Sequence, residues 1–341
     1  HDAIPPSSTA RGLGEVSKRP TPRKLPLTGL VALAATSTLL LAACTDASQT
    51  GTDGSTSGSG DETSAAPSFD PSTVEVDDAA AALLPEDVAS AGTLVVGSNT
   101  EYAPAEFIDA DGKTPIGFDI DVIKAVGATL GLDVEVQSAD FPAIIPALGT
   151  KYDAGISSFT ITEERMQEAN MIAFLNAGSA YAVASGNPDD IDPESLCGVT
   201  VAVQTGTVQD EDIAVQSQAC TDAGEEKIDI LQYDSQSDAT TNVAGGKAQV
   251  LYADSPVIGY AVEQTGGQLE QLGDVFDSAP QGVVVAKDDT ELAAAIQAAL
   301  QSLMDSGQLE EILGAWGSGD AALETAELNP SVGCRPPRHP R

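Results

Sequence analysis

Between Cys44 and Gly333 the chain has a single arginine, Arg165, among about fifty acidic residues and six lysines. It ends the segment Ser157-Ser-Phe-Thr-Ile-Thr-Glu-Glu-Arg165. A helix opening at Thr162 would set this cation in its first turn, against the helix dipole, at a cost of about 0.3–1 kcal/mol. A placement that opposes the local field points to an anion to be held. The planar guanidinium fork suits a carboxylate in two-point contact better than a lysine would. The competing role, a bridge to a neighbouring protein carboxylate, stabilises little when exposed and leaves the uniqueness of Arg165 unaccounted for.

Other candidates each have a structural competitor. Asp254, ahead of Ser255-Pro256, has the type and place of a helix cap. Thr160 and Glu163 have the spacing of a capping box. Gly206-Thr207 reads as a turn, and Tyr102 and Phe141 as core or surface aromatics. The histidines are His1 and His339, both at the ends of the chain, so no His-assisted Ser or Cys nucleophile can be assembled. No spacing has the form of a metal site, and no cofactor is expected. Acid–base chemistry would have to come from the many carboxylates, and no spacing singles out a pair.

The elements that must position these residues read as strands alternating with helices, an α/β pattern with crossover helices. Strands are expected at 93–96, 134–137, 154–157, 200–203, 228–233 and 250–253. Helices are expected at 118–130, at 143–148 and from about Val208, with a further one opening at Ser255-Pro256. In such sheets ligands bind beyond the carboxyl ends of the strands. The loops after Val96, Ser157, Val203 and Ala253 are therefore the informative ones.

The formal net charge is −37, and eight of the fifteen basic residues lie before Cys44 or after Gly333. Nucleic acid is excluded as a partner for want of clustered cations. Residues 25–43 form an apolar span behind Arg23 and Lys24 and run into Leu41-Ala-Ala-Cys44, similar to a bacterial lipoprotein signal. Residues 1–43 are then a leader and Cys44 a lipidated N-terminus, the competing reading being an uncleaved membrane anchor. Residues 44–75 read as a disordered tether and 334–341 as a disordered tail. Cys197 and Cys220, exported by such a leader, are expected to pair, with two buried thiols as the alternative.

Six elements in order carry a resemblance: Val96-Gly-Ser-Asn-Thr-Glu-Tyr-Ala-Pro104, Gly117-Phe-Asp-Ile-Asp121, Ile145-Pro-Ala-Leu148, the Ser157 to Arg165 segment, Gln204-Thr-Gly-Thr207 and Ala253-Asp254. Over 92–333 the chain resembles the family 3 solute-binding proteins of polar amino-acid ABC importers, in a lipoprotein form. The resemblance implies a two-lobed, periplasmic-binding-protein-like fold of type II. Each lobe is a mostly parallel sheet flanked by helices, and two hinge strands cross near 181–185 and 281–285. Lobe 1 is then 92–183 with 284–333, and lobe 2 is 184–283.

Carried over by position, Arg165 grips a ligand α-carboxylate with backbone donors from Thr160, Thr207 and Val208. The Ser158 carbonyl, the Thr160 hydroxyl and Asp254 meet the α-ammonium, and the Tyr102 and Phe141 rings cover the side chain. Asn99 stands where binders of basic amino acids have an acid, which favours a glutamine-like ligand, although Glu101 lies close by. The implied function is capture of a polar amino acid by a monomer, anchored by lipid to the outer face of the bacterial cytoplasmic membrane, and delivery to an ABC permease. The alternatives are an enzyme on the same fold, a dehydratase or a cell-wall-active one, and a ligand-sensing domain.

Overall fold

The computed structural model describes residue 67 and residues 69–333; the expectations for the leader, Cys44, most of the tether and the tail fall outside these residues. The strands are β1 (Thr93–Ser98), β2 (Glu101–Tyr102), β3 (Glu106–Ile108), β4 (Pro115–Ile116), β5 (Asp133–Ser138), β6 (Ala154–Thr160), β7 (Ala169–Ala184), β8 (Thr200–Gln204), β9 (Asp229–Tyr233), β10 (Val250–Asp254) and β11 (Leu269–Ala286). The α-helices are α1 (Asp78–Ala81), α2 (Glu86–Ala91), α3 (Phe118–Leu130), α4 (Glu163–Glu168), α5 (Val208–Asp222), α6 (Gln236–Ala244), α7 (Ser255–Gln264), α8 (Thr290–Asp305) and α9 (Gln308–Ala315).

Eight strands make one sheet in the order β5-β1-β6-β11-β7-β10-β8-β9, and β2, β3 and β4 form a small antiparallel sheet. The flanking ladders β5-β1-β6 and β10-β8-β9 are parallel, each built from strand–helix crossovers, whereas β6-β11, β11-β7 and β7-β10 are antiparallel. This is the two-lobed α/β architecture, with β7 and β11 as the hinge strands. They lie side by side and run from one parallel ladder to the other. β7 bonds β11 along its length, through its first part at 279–286 and through its last part at 269–272, and its last part also bonds β10 on the other edge, with Val183 opposite Val250. Between these stretches β11 shifts register around Phe276. The outer neighbours of this pair change from β6, which bonds β11 from Gln281 onward, to β10, which bonds β7 over Ser179–Val183.

The β6 and β10 strands are buried along their whole length because both faces are covered, and their polar residues, Ser157, Ser158, Thr160 and Asp254, gather at the carboxyl ends. In α8, Leu292, Ala295, Ile296, Ala299 and Leu303 recur at helical spacing and are buried, and α8 and α9 pack on α3 in the first lobe. Each large apolar side chain so enclosed contributes about 1.5–3 kcal/mol. Cys197 and Cys220 form a disulfide that ties the start of the second lobe to α5, the pairing expected from the sequence. In the chain-entropy picture, closing a loop of this size stabilises by about 3 kcal/mol.

The helix expected at 143–148 is instead two 3-10 turns, Phe141–Ala143 and Ile145–Ala147. Pro142 and Pro146 lack the N–H groups that an α-helix would use and disfavour helical geometry in the residue before each. The capping assignment also moves: Thr162, not Thr160, caps α4, its hydroxyl accepting the Arg165 N–H at 3.2 Å.

Candidate functional site

The loops after β1, β6, β8 and β10 converge at the junction of the lobes, where they line a narrow pocket that their own side chains nearly fill. All nine residues picked out from the sequence, Asn99, Tyr102, Phe141, Ser158, Thr160, Arg165, Thr207, Val208 and Asp254, line this one space. So do four that were not picked out: Glu106, Ser157, Gln204 and Gln209.

Arg165 reaches across from the first lobe. Its Nη1 donates to the Thr160 carbonyl at 2.9 Å and its Nη2 to the Gly206 carbonyl of the second lobe at 3.2 Å. Its guanidinium carbon stands 5.4 Å from the Phe141 ring centre and 5.8 Å from that of Phe159. These two rings stack at 4.8 Å. They give the cation a fixed apolar floor with cation–π attraction. Opposite lies the start of α5. Thr207 caps that helix, its hydroxyl accepting the Asp210 N–H at 3.2 Å and donating to the Gln204 carbonyl at 2.8 Å. Val208 and Gln209, the first two residues of α5, line the same pocket and bring a helix N-terminus to it, as in anion sites of that kind.

Asp254 stands at the N-cap position of α7 but makes no side-chain cap bond, which removes the capping role that its place in the sequence allowed. Its Oδ1 accepts from Gln209 Nε2 at 2.8 Å, and its Oδ2 from Gln281 Nε2 at 2.9 Å and from the Tyr102 hydroxyl at 3.0 Å. Gln209 also donates to Ser179 of β7, so the acid is tied to both hinge strands. Burial pushes the Asp254 carboxyl above its ordinary range, while these donors and the Arg165 charge pull it back. The Tyr102 phenol is pushed well above its ordinary range, first by burial and then by the Asp254 charge, so it remains a neutral donor.

Around the β6 turn, Ser158 has φ of 48°, a left-handed backbone for a non-glycine residue. Such strain, about 1–3 kcal/mol, persists only where the surroundings enforce it and gathers at functional sites. Here its N–H donates to Asp119 Oδ2 at 2.7 Å, from the first turn of α3. Asn99 is held by its own contacts: its side-chain N–H donates to the Ala139 carbonyl at 3.0 Å and its Oδ1 accepts from Gln204 Nε2 at 3.1 Å. Together with Tyr102–Asp254, Arg165–Gly206 and a bond from Ser237 to Glu101 at 2.8 Å, this pair joins the lobes across the cleft. The lobes are therefore in the closed arrangement.

Among the described residues no group of three His, Cys, Asp or Glu side chains is placed to hold a metal ion, and no helix is long and apolar enough to cross a membrane.

The chain belongs to the bacterial extracellular solute-binding proteins, family 3, whose pattern matches residues 94–319. Membership makes it a solute-binding protein of the amino-acid ABC importer class rather than an enzyme. It is 39% identical over 251 residues to the arginine-binding protein ArgT of Corynebacterium glutamicum, which covers 73% of this chain and 82% of that protein. Among solved structures, it resembles an ancestral arginine-binding protein bound to arginine, at 33% identity and a TM-score of 0.61, over 66% of this chain and 98% of the other. An ancestral arginine-binding protein bound to glutamine matches nearly as well, at 32% identity and a TM-score of 0.60, over 66% and 97%.

Proposed function

We propose that this protein captures a basic amino acid, arginine in the first place, outside the cytoplasmic membrane and delivers it to an ABC permease. The carrying observation is that Arg165 and Asp254, from different lobes, line one enclosed pocket with a third ionisable group, Glu106. A zwitterion meets a cation and helix N–H groups at one end and an acid at the other, and Glu106 supplies the negative charge that a cationic side chain needs. The names of the relatives point the same way.

Glutamine is the second reading, supported by the glutamine-bound relative. The argument for it from Asn99 weakens, because that amide is already engaged with Ala139 and Gln204. Lobe closure is the working motion: ligand binds one lobe, the other adds its donors, and the closed form presents a composite face to the permease. We assign the lobe boundaries to the segments of β7 and β11 where the outer neighbour changes, with lobe 1 as 92–183 and 284–333 and lobe 2 as 184–283. The site roles of the nine residues, the monomeric state and a lipid anchor at Cys44 belong to the same proposal.

Calorimetric titration with arginine, lysine and glutamine tests it. Arginine should bind most tightly, and Arg165→Ala should weaken binding by about 2–5 kcal/mol, the range for removing one member of a buried charge pair. Absence of binding by all three, or an unaffected Arg165→Ala protein, refutes the assignment.

A further inference from the structure

Glu106 opens β3 and Asp119 lies in the first turn of α3; both are fully buried, at 0% exposure. Glu106 Oε1 accepts from the Ser157 hydroxyl at 2.8 Å, and Oε2 from the Ser158 hydroxyl at a long 3.4 Å. Asp119 Oδ2 takes the Ser158 N–H, while its Oδ1 has no N–H or hydroxyl donor among the described residues. Both carboxyl groups bond Ser158, Glu106 through its hydroxyl and Asp119 through its N–H, which brings two buried acids together around one residue. Burial of two acids so placed disfavours ionising both, so the pair retains a proton.

The neighbouring elements add no compensating cation. From β10 comes Asp254, from β2 the neutral Tyr102, from β6 the two serines, and Arg165 directs its donors to the Thr160 and Gly206 carbonyls. Burial holds Asp119 up to about 7 and, with the Asp119 charge, holds Glu106 well above its ordinary range. Near neutral pH the pair thus keeps between one and two protons.

Its place in the pocket matters as much. Glu106 shares the Ser157 hydroxyl with the Asn99 N–H, which donates to it at 3.0 Å, and so belongs to the Asn99 wall. Asp254 is fastened separately, to Gln209 and Gln281. The two acids of the pocket are therefore held by separate sets of donors.

We infer that Glu106 and Asp119 act as a proton-exchange site that selects a cationic side chain, releasing one proton to solvent as the cation enters beside Glu106. The inference rests on the reading of the ligand as a basic amino acid. The O–H bond breaks with its electron pair kept on the carboxyl oxygen, and the proton passes to water or buffer. The incoming positive charge replaces the departing one, so the enclosed groups hold the same net charge before and after. A neutral side chain such as that of glutamine has nothing to exchange and leaves the proton in place.

The test is calorimetry on the full chain in buffers of different ionisation enthalpy, between about pH 5 and pH 7, with L-arginine and L-glutamine. Arginine should release about one proton and gain up to about tenfold in affinity per pH step of one, while glutamine should release none. Glu106→Gln should remove both the release and the pH slope. Should that variant fail to fold, Asp119→Asn, which keeps an acceptor for the Ser158 N–H, should do the same. Arginine binding without proton release overturns this inference and leaves the proposed function standing. Equal release with glutamine overturns it too, because the proton would then answer the α-ammonium, and so does release that persists in the variants. No binding by either amino acid removes both.

Discussion

Asp254 and Glu106 are acids of the same pocket, both buried, one on each lobe, and their surroundings differ in kind. Asp254 receives three side-chain donors, two of them glutamine amides that have no proton to lose, and so can keep its charge in the absence of ligand. Glu106 has hydroxyls and another acid for company, a setting that favours the neutral form. What separates a standing anion from a conditional one is therefore the donor set and not the depth of burial. A pocket with one of each can hold an ammonium common to every amino acid while reserving its second charge for a cationic side chain.

The largest expected effect tests the standing charge. Asp254→Ala should weaken binding of arginine and glutamine alike by about 2–5 kcal/mol, because the α-ammonium loses its partner in a desolvated site. Glu106→Gln should weaken arginine more than glutamine. Titrations of both variants with both ligands check this, and equal losses for the two ligands in both proteins would erase the distinction between the acids.

The two acids also differ in how visible they are in the sequence. Asp254 ends an apolar strand ahead of Ser-Pro, and Arg165 is alone of its kind, so both stand out by position or rarity. The structure then removed the capping alternative at Asp254, which spacing could not. Glu106 follows Ala105 in a short strand among many acids, and its importance comes from Asp119 and Ser157, which are 13 and 51 positions away. Gln209 and Gln281 were missed for the same reason: an amide matters through what it touches, and helix α5 and strand β11 meet at Asp254 only in the folded chain. The fold itself was largely legible, since alternating apolar strands and periodic helices repeat along the chain. The exception is instructive, as Pro142 and Pro146 outweigh the apolar pattern read as a helix at 143–148.

The conditional charge should appear next in the stability of the ligand-free protein. Asp119 is held up to about 7 from an ordinary value of 3.8, so the folded state binds its proton more tightly than the unfolded state. Its contribution is fully present below about pH 4 and is lost as the pH rises through about 7, a change on the order of 2–4 kcal/mol. Asp119→Asn should flatten this decline while preserving the Ser158 contact. Denaturant unfolding at several pH values measures it. A difference between the two proteins that does not vary with pH would show that Asp119 is ionised throughout.

The smallest expected effect concerns how the standing charge is kept. Gln281, 1% exposed in β11, gives Asp254 Oδ2 a charge-assisted bond at 2.9 Å. Gln281→Leu removes that donor and should weaken amino-acid binding by about 1–2 kcal/mol. A merely structural loss would act at every pH. Loss of a donor also raises the Asp254 carboxyl further, so the pH at which glutamine binding fails on acidification should move upward. Glutamine is the ligand of choice because its neutral side chain leaves the Glu106 proton alone. An unmoved acid limit, with affinity lowered uniformly, would mean that Gln281 shapes the hinge strand without tuning the charge, and that Gln209 and Tyr102 suffice to hold it.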